Sequence, residues 1–144
     1  EALFKLSLIT DNKEYLNIVI SLLGSIATIA SEHPVSFGNW LCIYDSYIYP
    51  TIEIAIIADD PKHARKMRDC LYESYIPNHI FCGNAYFSHT EKARNKWNTY
   101  PLLNDREPET DIAMAYLCEN YVCELPVSTA TELLQLIRQK TQVS

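Results

Sequence analysis

Apolar and polar positions repeat with a helical period over the first third of the chain. Residues 1–9 read as the end of a helix, with Leu3, Phe4, Leu6 and Leu8 along it. Thr10 or Asp11 can cap a second helix, with Glu14 in its first turn. Tyr15, Ile18, Val19, Leu22, Leu23, Ile26, Ile29 and Ala30 then recur at the spacing of one helix face. His33-Pro34 ends that helix, because proline disfavours the helical conformation of the residue before it. Ser36 can cap a third helix whose apolar side is Phe37, Trp40, Leu41, Tyr44, Tyr47 and Ile48, with Pro50 beyond its end. Loops this short imply antiparallel neighbours.

The pattern changes at Thr51. Residues 51–58 (TIEIAIIA) are β-branched and nearly continuously apolar, which predicts a strand buried on both faces. Asp59-Asp60-Pro61 then reads as a loop, an N-cap and a proline at the first helical position. A helix over 61–75 turns Ala64, Met67, Leu71 and Tyr75 inward, and Pro77-Asn78 leads to a short strand at 79–82. Such a strand–helix–strand unit makes its two strands parallel. Residues 88–98 suit a short polar helix, and 100–110 read as surface loop. Residues 113–118 and 121–125 form a hairpin, and Ser128 caps a last helix through Lys140, with Leu133, Leu134, Leu136 and Ile137 apolar. The expected fold is α/β. A helical segment at 1–50 precedes a small β-α-β-(α)-β-β-α domain with a mixed sheet at 51–144. Its element order is thioredoxin-like or Rossmann-like. In a redox-active thioredoxin fold the first strand leads into Cys-x-x-Cys, but here those positions are Asp59-Asp60-Pro61-Lys62.

Composition narrows the function. The 144 residues are 48% hydrophobic and 21% charged, a globular balance. A net charge of −6 argues against non-specific nucleic-acid and anionic-membrane binding, which need basic patches. The apolar stretch at 18–30 is interrupted by Ser21, Gly24, Ser25 and Thr28 and is too short to span a bilayer. The chain opens at Glu1 on a helix-interior pattern, without a signal peptide, which suggests a piece of a longer protein. Five cysteines are an odd number, and with no signal peptide they suggest a reducing, cytoplasmic setting. Cys42, Cys70 and Cys82 lie alone in apolar segments and read as small core residues.

Cys118-x4-Cys123 is the most specific local feature. If the hairpin turns through Asn120-Tyr121, Glu119 faces Val122 and Cys118 faces Cys123, with sulfurs within about 6 Å; a turn through Glu119-Asn120 would destroy this opposition, and a tyrosine at a positive-φ turn position leaves a longer loop open. Two structural thiols side by side are the first reading, ahead of a disulfide and of a metal or redox role; zinc would need two more ligands. Asp59 and Asp60 stand at the strand edge where open α/β sheets bind ligands and can hold a divalent cation. The plainer reading is an N-capping Asp60 beside a solvated Asp59. His33, His63, His79 and His89 show no metal-ligand spacing, and Ser88 and Ser128 sit in no nucleophile-elbow context. Lys62, Arg65, Lys66 and Arg68 form a basic run, but Asp69 and Glu73 beside it make a solvated helix face.

Several segments carry a family likeness. Thr10-Asp11-Asn12-Lys13-Glu14-Tyr15, Pro34-Val35-Ser36-Phe37 and residues 52–60 follow one order. Tyr75-Ile76-Pro77-Asn78 looks like a "YLPN" step, and Tyr100-Pro101-Leu102-Leu103 looks like a "PLL" segment. The run from Ala115 to Cys123 is similar to an "AYVCxNxxC" hairpin. Together they resemble the C-terminal region of the spermatogenesis-associated, thioredoxin-domain-containing protein family. The resemblance implies an N-terminal thioredoxin-like domain and a central α/α toroid like those of sugar epimerases and six-hairpin glycosidases. Residues 1–50 would then be the end of that toroid.

On this basis the chain is expected to be a non-catalytic structural or interaction domain of a cytoplasmic multidomain protein. One alternative is a redox accessory module using Cys118 and Cys123. Another is a piece shaping the cleft of a carbohydrate-active parent. No catalytic, cofactor-binding or metal residue is assigned, and no cofactor is expected. The expected partners are the rest of the parent chain and a second copy, paired through the helix at 11–32.

Overall fold

A computed structural model describes residues 1–85, 99–107 and 109–141. The helix expected at 88–98, with Ser88 and His89, lies outside the described residues.

The run at 52–58 forms β1 (Ile52–Ala58), buried at every position. It pairs in parallel with β2 (His79–Ala85) and antiparallel with β3 (Ala113–Glu119), and β3 pairs antiparallel with the two-residue β4 (Val122–Cys123). The sheet order is β2-β1-β3-β4. Between β1 and β2 runs α4 (Pro61–Tyr72), capped as predicted: the Lys62 amide donates to Asp60 Oδ1 at 2.7 Å, and Pro61 opens the helix.

The alternation of β1 side chains builds two different layers. Ile52, Ile54, Ile56 and Ala58 face α4 and the final helix α5 (Ala130–Thr141), meeting Met67, Leu71, Leu133 and Ile137. On the opposite face Ala55, Ile57 and Ile80 lie under Leu102 and Leu103, with Leu8 and Ile9 of α1 (Ala2–Thr10) beside them. The segment at 100–110 is therefore not a plain surface loop. Leu102 and Leu103 are buried and form part of the core. Two adjacent leucines in a proline- and charge-rich segment lack the periodicity that would mark them as core.

The helices α1, α2 (Lys13–Glu32) and α3 (Gly38–Ile48) share a third cluster of Phe4, Val19, Leu23 and Ile43. Leu8 touches both this cluster and the sheet, so α1 joins the two.

Several local expectations need correcting. Asn12, not Thr10 or Asp11, caps α2 by accepting the Glu14 amide at 2.9 Å. Ser36 caps nothing: α3 starts after Phe37 with no side-chain cap bond. Thr129, one residue past Ser128, caps α5. Its hydroxyl accepts the Glu132 amide at 3.2 Å while Glu132 Oε2 accepts the Thr129 amide, a reciprocal capping box. Helix α4 ends at Tyr72, leaving Tyr75 almost fully exposed rather than inward. Cys42 is exposed, whereas Cys70 is buried and Cys82 half-buried.

On α2, Ile18, Ile20, Leu22 and Ile29 are between 40% and 49% exposed, so much of its apolar surface meets no partner among the described residues. At 20 residues, α2 is long and apolar enough by length and composition to cross a membrane, which the shorter stretch at 18–30 is not. Val19 and Leu23, however, pack against the neighbouring helices.

Candidate functional site

The β3–β4 hairpin turns through Asn120 and Tyr121, both in the left-handed region with φ of 51° and 62°. Two successive positive φ values define a turn whose twist matches the flanking strands. The resulting register places Glu119 opposite Val122 and Cys118 opposite Cys123, as the sequence predicts. Tyrosine is a poor residue for such a position, and it is held by two contacts. Its amide donates to Glu53 Oε2 at 3.0 Å, and its hydroxyl donates to the Leu8 carbonyl of α1 at 2.7 Å.

Cys118 and Cys123 are joined in a disulfide, with Cα atoms 3.9 Å apart. This replaces the first reading of two unbonded thiols. The opposition of the two residues was legible in the spacing; the covalent bond was only one of its alternatives. Cys118 is buried and Cys123 is exposed, so the bridge meets solvent at Cys123.

Arg106 lies against this bridge. Its Nη2 is 2.9 Å from Cys123 Sγ and 3.4 Å from Cys118 Sγ. Its guanidinium carbon sits 4.3 Å from the centroid of the Tyr116 ring, a cation–π contact that orients the head group. The loop that brings Arg106 here is the one anchored by Leu102 and Leu103. Sequence reasoning missed Arg106, because a lone arginine among Asn104, Asp105 and Glu107 looks like any solvated charge.

Two further groups share this face. Glu53 is paired with Cys118 in the β1–β3 register and is only 2% exposed. Burial pushes its carboxyl up, while the Tyr121 amide and the Arg106 charge pull it down. Cys82 of β2 lies one row along, beside Ala55 and Tyr116. Burial pushes its thiol up to about 11, so it stays protonated at neutral pH. The face thus gathers a disulfide, a guanidinium, a carboxyl group and an inert thiol. A cation within reach of both sulfurs favours the thiolate over the thiol whenever the bridge opens.

The strand-end aspartates separate into two roles. Asp60 is taken up by the α4 cap. Asp59 binds His63 one helical turn on, Oδ1 to Nδ1 at 2.8 Å, and its Oδ2 accepts the Asp111 amide at 3.0 Å. The Asp111 amide, then His63, hold the Asp59 carboxyl below its usual range, and Asp59 holds the His63 imidazole above its own. One ligand atom from each of Asp59, His63 and Asp111 lies within 4.8 Å of the others, a spacing that can accommodate a cation. His63 and Asp111 were not linked to Asp59 in the sequence reading, although the Asp59–His63 step of four residues was visible. As it stands, the cluster ties the segment entering β3 to the end of β1. Beside it, between α4 and the start of α5, opens a cavity of about 470 Å³ lined by Lys62, Lys66 and Thr129 among others. A smaller cavity of about 250 Å³ lies where α1, α3 and the start of β2 meet.

These features define an α/β domain carrying a hairpin disulfide flanked by a stacked arginine. Its sequence is similar to spermatogenesis-associated protein 20 of Rattus norvegicus, 22% identical over 139 residues, and of Homo sapiens, 23% identical over 136 residues. The Mus musculus protein matches at 22% over 139 residues. The matches cover 94–95% of this chain but 17% of each relative, so the chain spans about a sixth of the length of the curated proteins it matches. They do not show the thioredoxin-domain part of the resemblance. No protein-family model matches the chain, and no solved structure does.

Proposed function

We propose that this chain is a non-catalytic structural or interaction domain, the C-terminal part of a larger cytoplasmic protein that also holds a thioredoxin-like domain and an α/α toroid. The carrying observation is the similarity that runs along 94–95% of the chain while covering 17% of each relative. The apolar side of α2, left uncovered among the described residues, supports it. Burying such surface is worth roughly 25 cal/mol per Å², so Ile18, Leu22 and Ile29 favour a covering partner. That partner is the rest of the parent chain; in its absence a second copy covers the same face, since a two-fold contact pairs one patch with itself.

The test produces the remainder of the parent and the 144-residue chain as separate polypeptides. Expected are co-elution, slowed amide exchange along α2 in the mixture, and loss of both in an Ile18→Asp, Leu22→Asp variant. Alone, the chain should sediment as a dimer. Failure of the two parts to associate, together with a parent that folds and functions unchanged without these residues, overturns the proposal.

A second reading is favoured by the placement of Arg106 on the bridge: a redox accessory module that exchanges electrons through Cys118 and Cys123. In a reducing compartment the disulfides that do form are more often transient and catalytic or redox-sensing than structural. The exposed Cys123 sulfur gives a reductant access.

A further inference from the structure

Building on the redox reading, we infer that Arg106 is the thiolate-stabilising residue of the Cys118–Cys123 bridge, tuning it for exchange with a dithiol. One guanidinium nitrogen reaches both sulfurs, at 2.9 and 3.4 Å, and stacking on Tyr116 fixes it there in the oxidised state. No rearrangement is needed for the charge to meet a sulfur as its bond breaks.

Exposure sets the order of events. The dithiol's first thiolate attacks Cys123 Sγ, because Cys118 is buried. The Cys118–Cys123 bond breaks, and its electron pair leaves on Cys118 Sγ as a thiolate beside Arg106 Nη2. A mixed disulfide now joins Cys123 to the reductant. The reductant's second thiolate then attacks its own sulfur in that bond, closing the reductant's disulfide and releasing Cys123 as a thiolate, again beside Nη2. Two electrons pass from the dithiol to the bridge, and the two protons of the dithiol are exchanged through solvent. Both leaving sulfurs are thus released next to the same cation, and a lower thiol pKa makes a better leaving group.

The groups around Arg106 decide how far this goes. Glu53 of β1 opposes thiolate formation to the extent that it is ionised, and burial pushes its carboxyl up. Cys82 of β2 stays neutral. Tyr116 of β3 offers its ring face. Glu119 of β3 and Asp11 beyond α1 add weaker negative fields at Glu53.

The test uses the full 144-residue chain. Reduction by dithiothreitol is followed in time, and the alkylation rate of Cys123 in the reduced protein is followed against pH by peptide mass. In the wild-type protein the Cys123 midpoint should lie below the usual thiol value of about 8.5. Arg106→Gln should raise that midpoint by about one pH unit, a tenfold loss of thiolate preference, and slow reduction about three- to tenfold. Arg106→Lys keeps the charge and should restore most of both, which a purely structural role would not do. A wild-type midpoint at or above about 8.5 overturns the inference without any variant. Unchanged midpoint and rate in Arg106→Gln overturn it while leaving the redox reading standing. A wild-type bridge that resists dithiothreitol until the protein unfolds removes the redox reading, and the inference falls with it.

Discussion

Breaking the Cys118–Cys123 bridge should weaken the fold by a small, calculable amount. The two residues are five apart in sequence, so the bridge closes a loop of about six residues. In the chain-entropy account, opening a loop that short returns only about 2 kcal/mol of freedom to the unfolded chain. The folded sheet keeps its other ties. The Glu124 amide still donates to the Leu117 carbonyl at 2.9 Å, and Ala115 and Val127 still exchange two backbone bonds. Tyr121 still holds Glu53 and Leu8. Denaturant unfolding followed by circular dichroism, with and without reductant, should show stability lower by about 2 kcal/mol at an unchanged denaturant slope. The melting temperature should fall by roughly 5–8 °C. Cys123→Ser, which alters the exposed partner only, should reproduce the shift. A loss above about 5 kcal/mol would refute the reasoning, because the bridge would then be holding the sheet itself. So would a shift below about 0.5 kcal/mol, because the bridge would not be constraining the unfolded chain.

Glu53 and the Asp59–His63 pair give two further expectations. Burial raises the Glu53 carboxyl above its ordinary value of about 4.3, so its contribution to stability is greatest when protonated and declines as pH rises through the window above that value. Glu53→Gln keeps an acceptor for the Tyr121 amide and should flatten that decline in denaturant midpoints as pH rises above about 4.3, without loss at neutral pH. Glu53→Ala leaves the amide unmatched and should cost about 1–3 kcal/mol. At the other end of β1, Asp59 is depressed and His63 raised. The Asp59 contribution is present above about pH 3.9 and lost as pH falls through its lower folded value; the His63 contribution is complete below about pH 6.5 and lost as pH rises through its higher folded value. The pair should therefore support stability best between those limits, and His63→Asn should abolish the alkaline side of the profile in pH-dependent thermal melts.

The parts of this fold readable from sequence were those with one dominant local cause. A continuous β-branched run gave β1, Asp60-Pro61 gave the start of α4, and the Asn120-Tyr121 turn fixed the hairpin register. Caps slipped by one or two residues because neighbouring polar residues compete for the same amide: Asn12 over Asp11, Thr129 over Ser128. In α3 the predicted stripe included Tyr47 and Ile48, yet these are exposed and Ile43 is buried. An aromatic-rich helix has no clear polar side, so periodicity alone could not orient it. The site was half legible. The Cys118–Cys123 opposition is local. Arg106, His63 and Asp111 become neighbours of their partners only through folding, across sequence separations of 12 from Cys118 to Arg106 and 52 from Asp59 to Asp111, or through a single helical turn that carried no motif.

The two faces of the sheet explain why the polar chemistry collects where it does. The face under α4 and α5 is closed by two helices that meet it with Met67, Leu71, Leu133 and Ile137, and the charges of Lys62 and Lys66 stay at its rim. Among the described residues, the other face is covered by Leu8 and Ile9 of α1 and by the irregular loop that carries Leu102 and Leu103. Irregular backbone can approach the sheet at a chosen point and deliver one long side chain, which is how Arg106 comes to lie on Tyr116. Glu53 tolerates burial on that face because the hairpin tip brings it a backbone donor, Tyr121, whose own backbone conformation that bond helps to hold. The same tyrosine reaches α1 through its hydroxyl. The hairpin therefore touches the central strand, the loop that carries Arg106 and the helical segment at once. Tyr121, two residues from Cys123, thus stands between the bridge and both Glu53 and Leu8. A sheet face closed by apolar helices alone would offer no such connection between a surface sulfur and the packing of the helices.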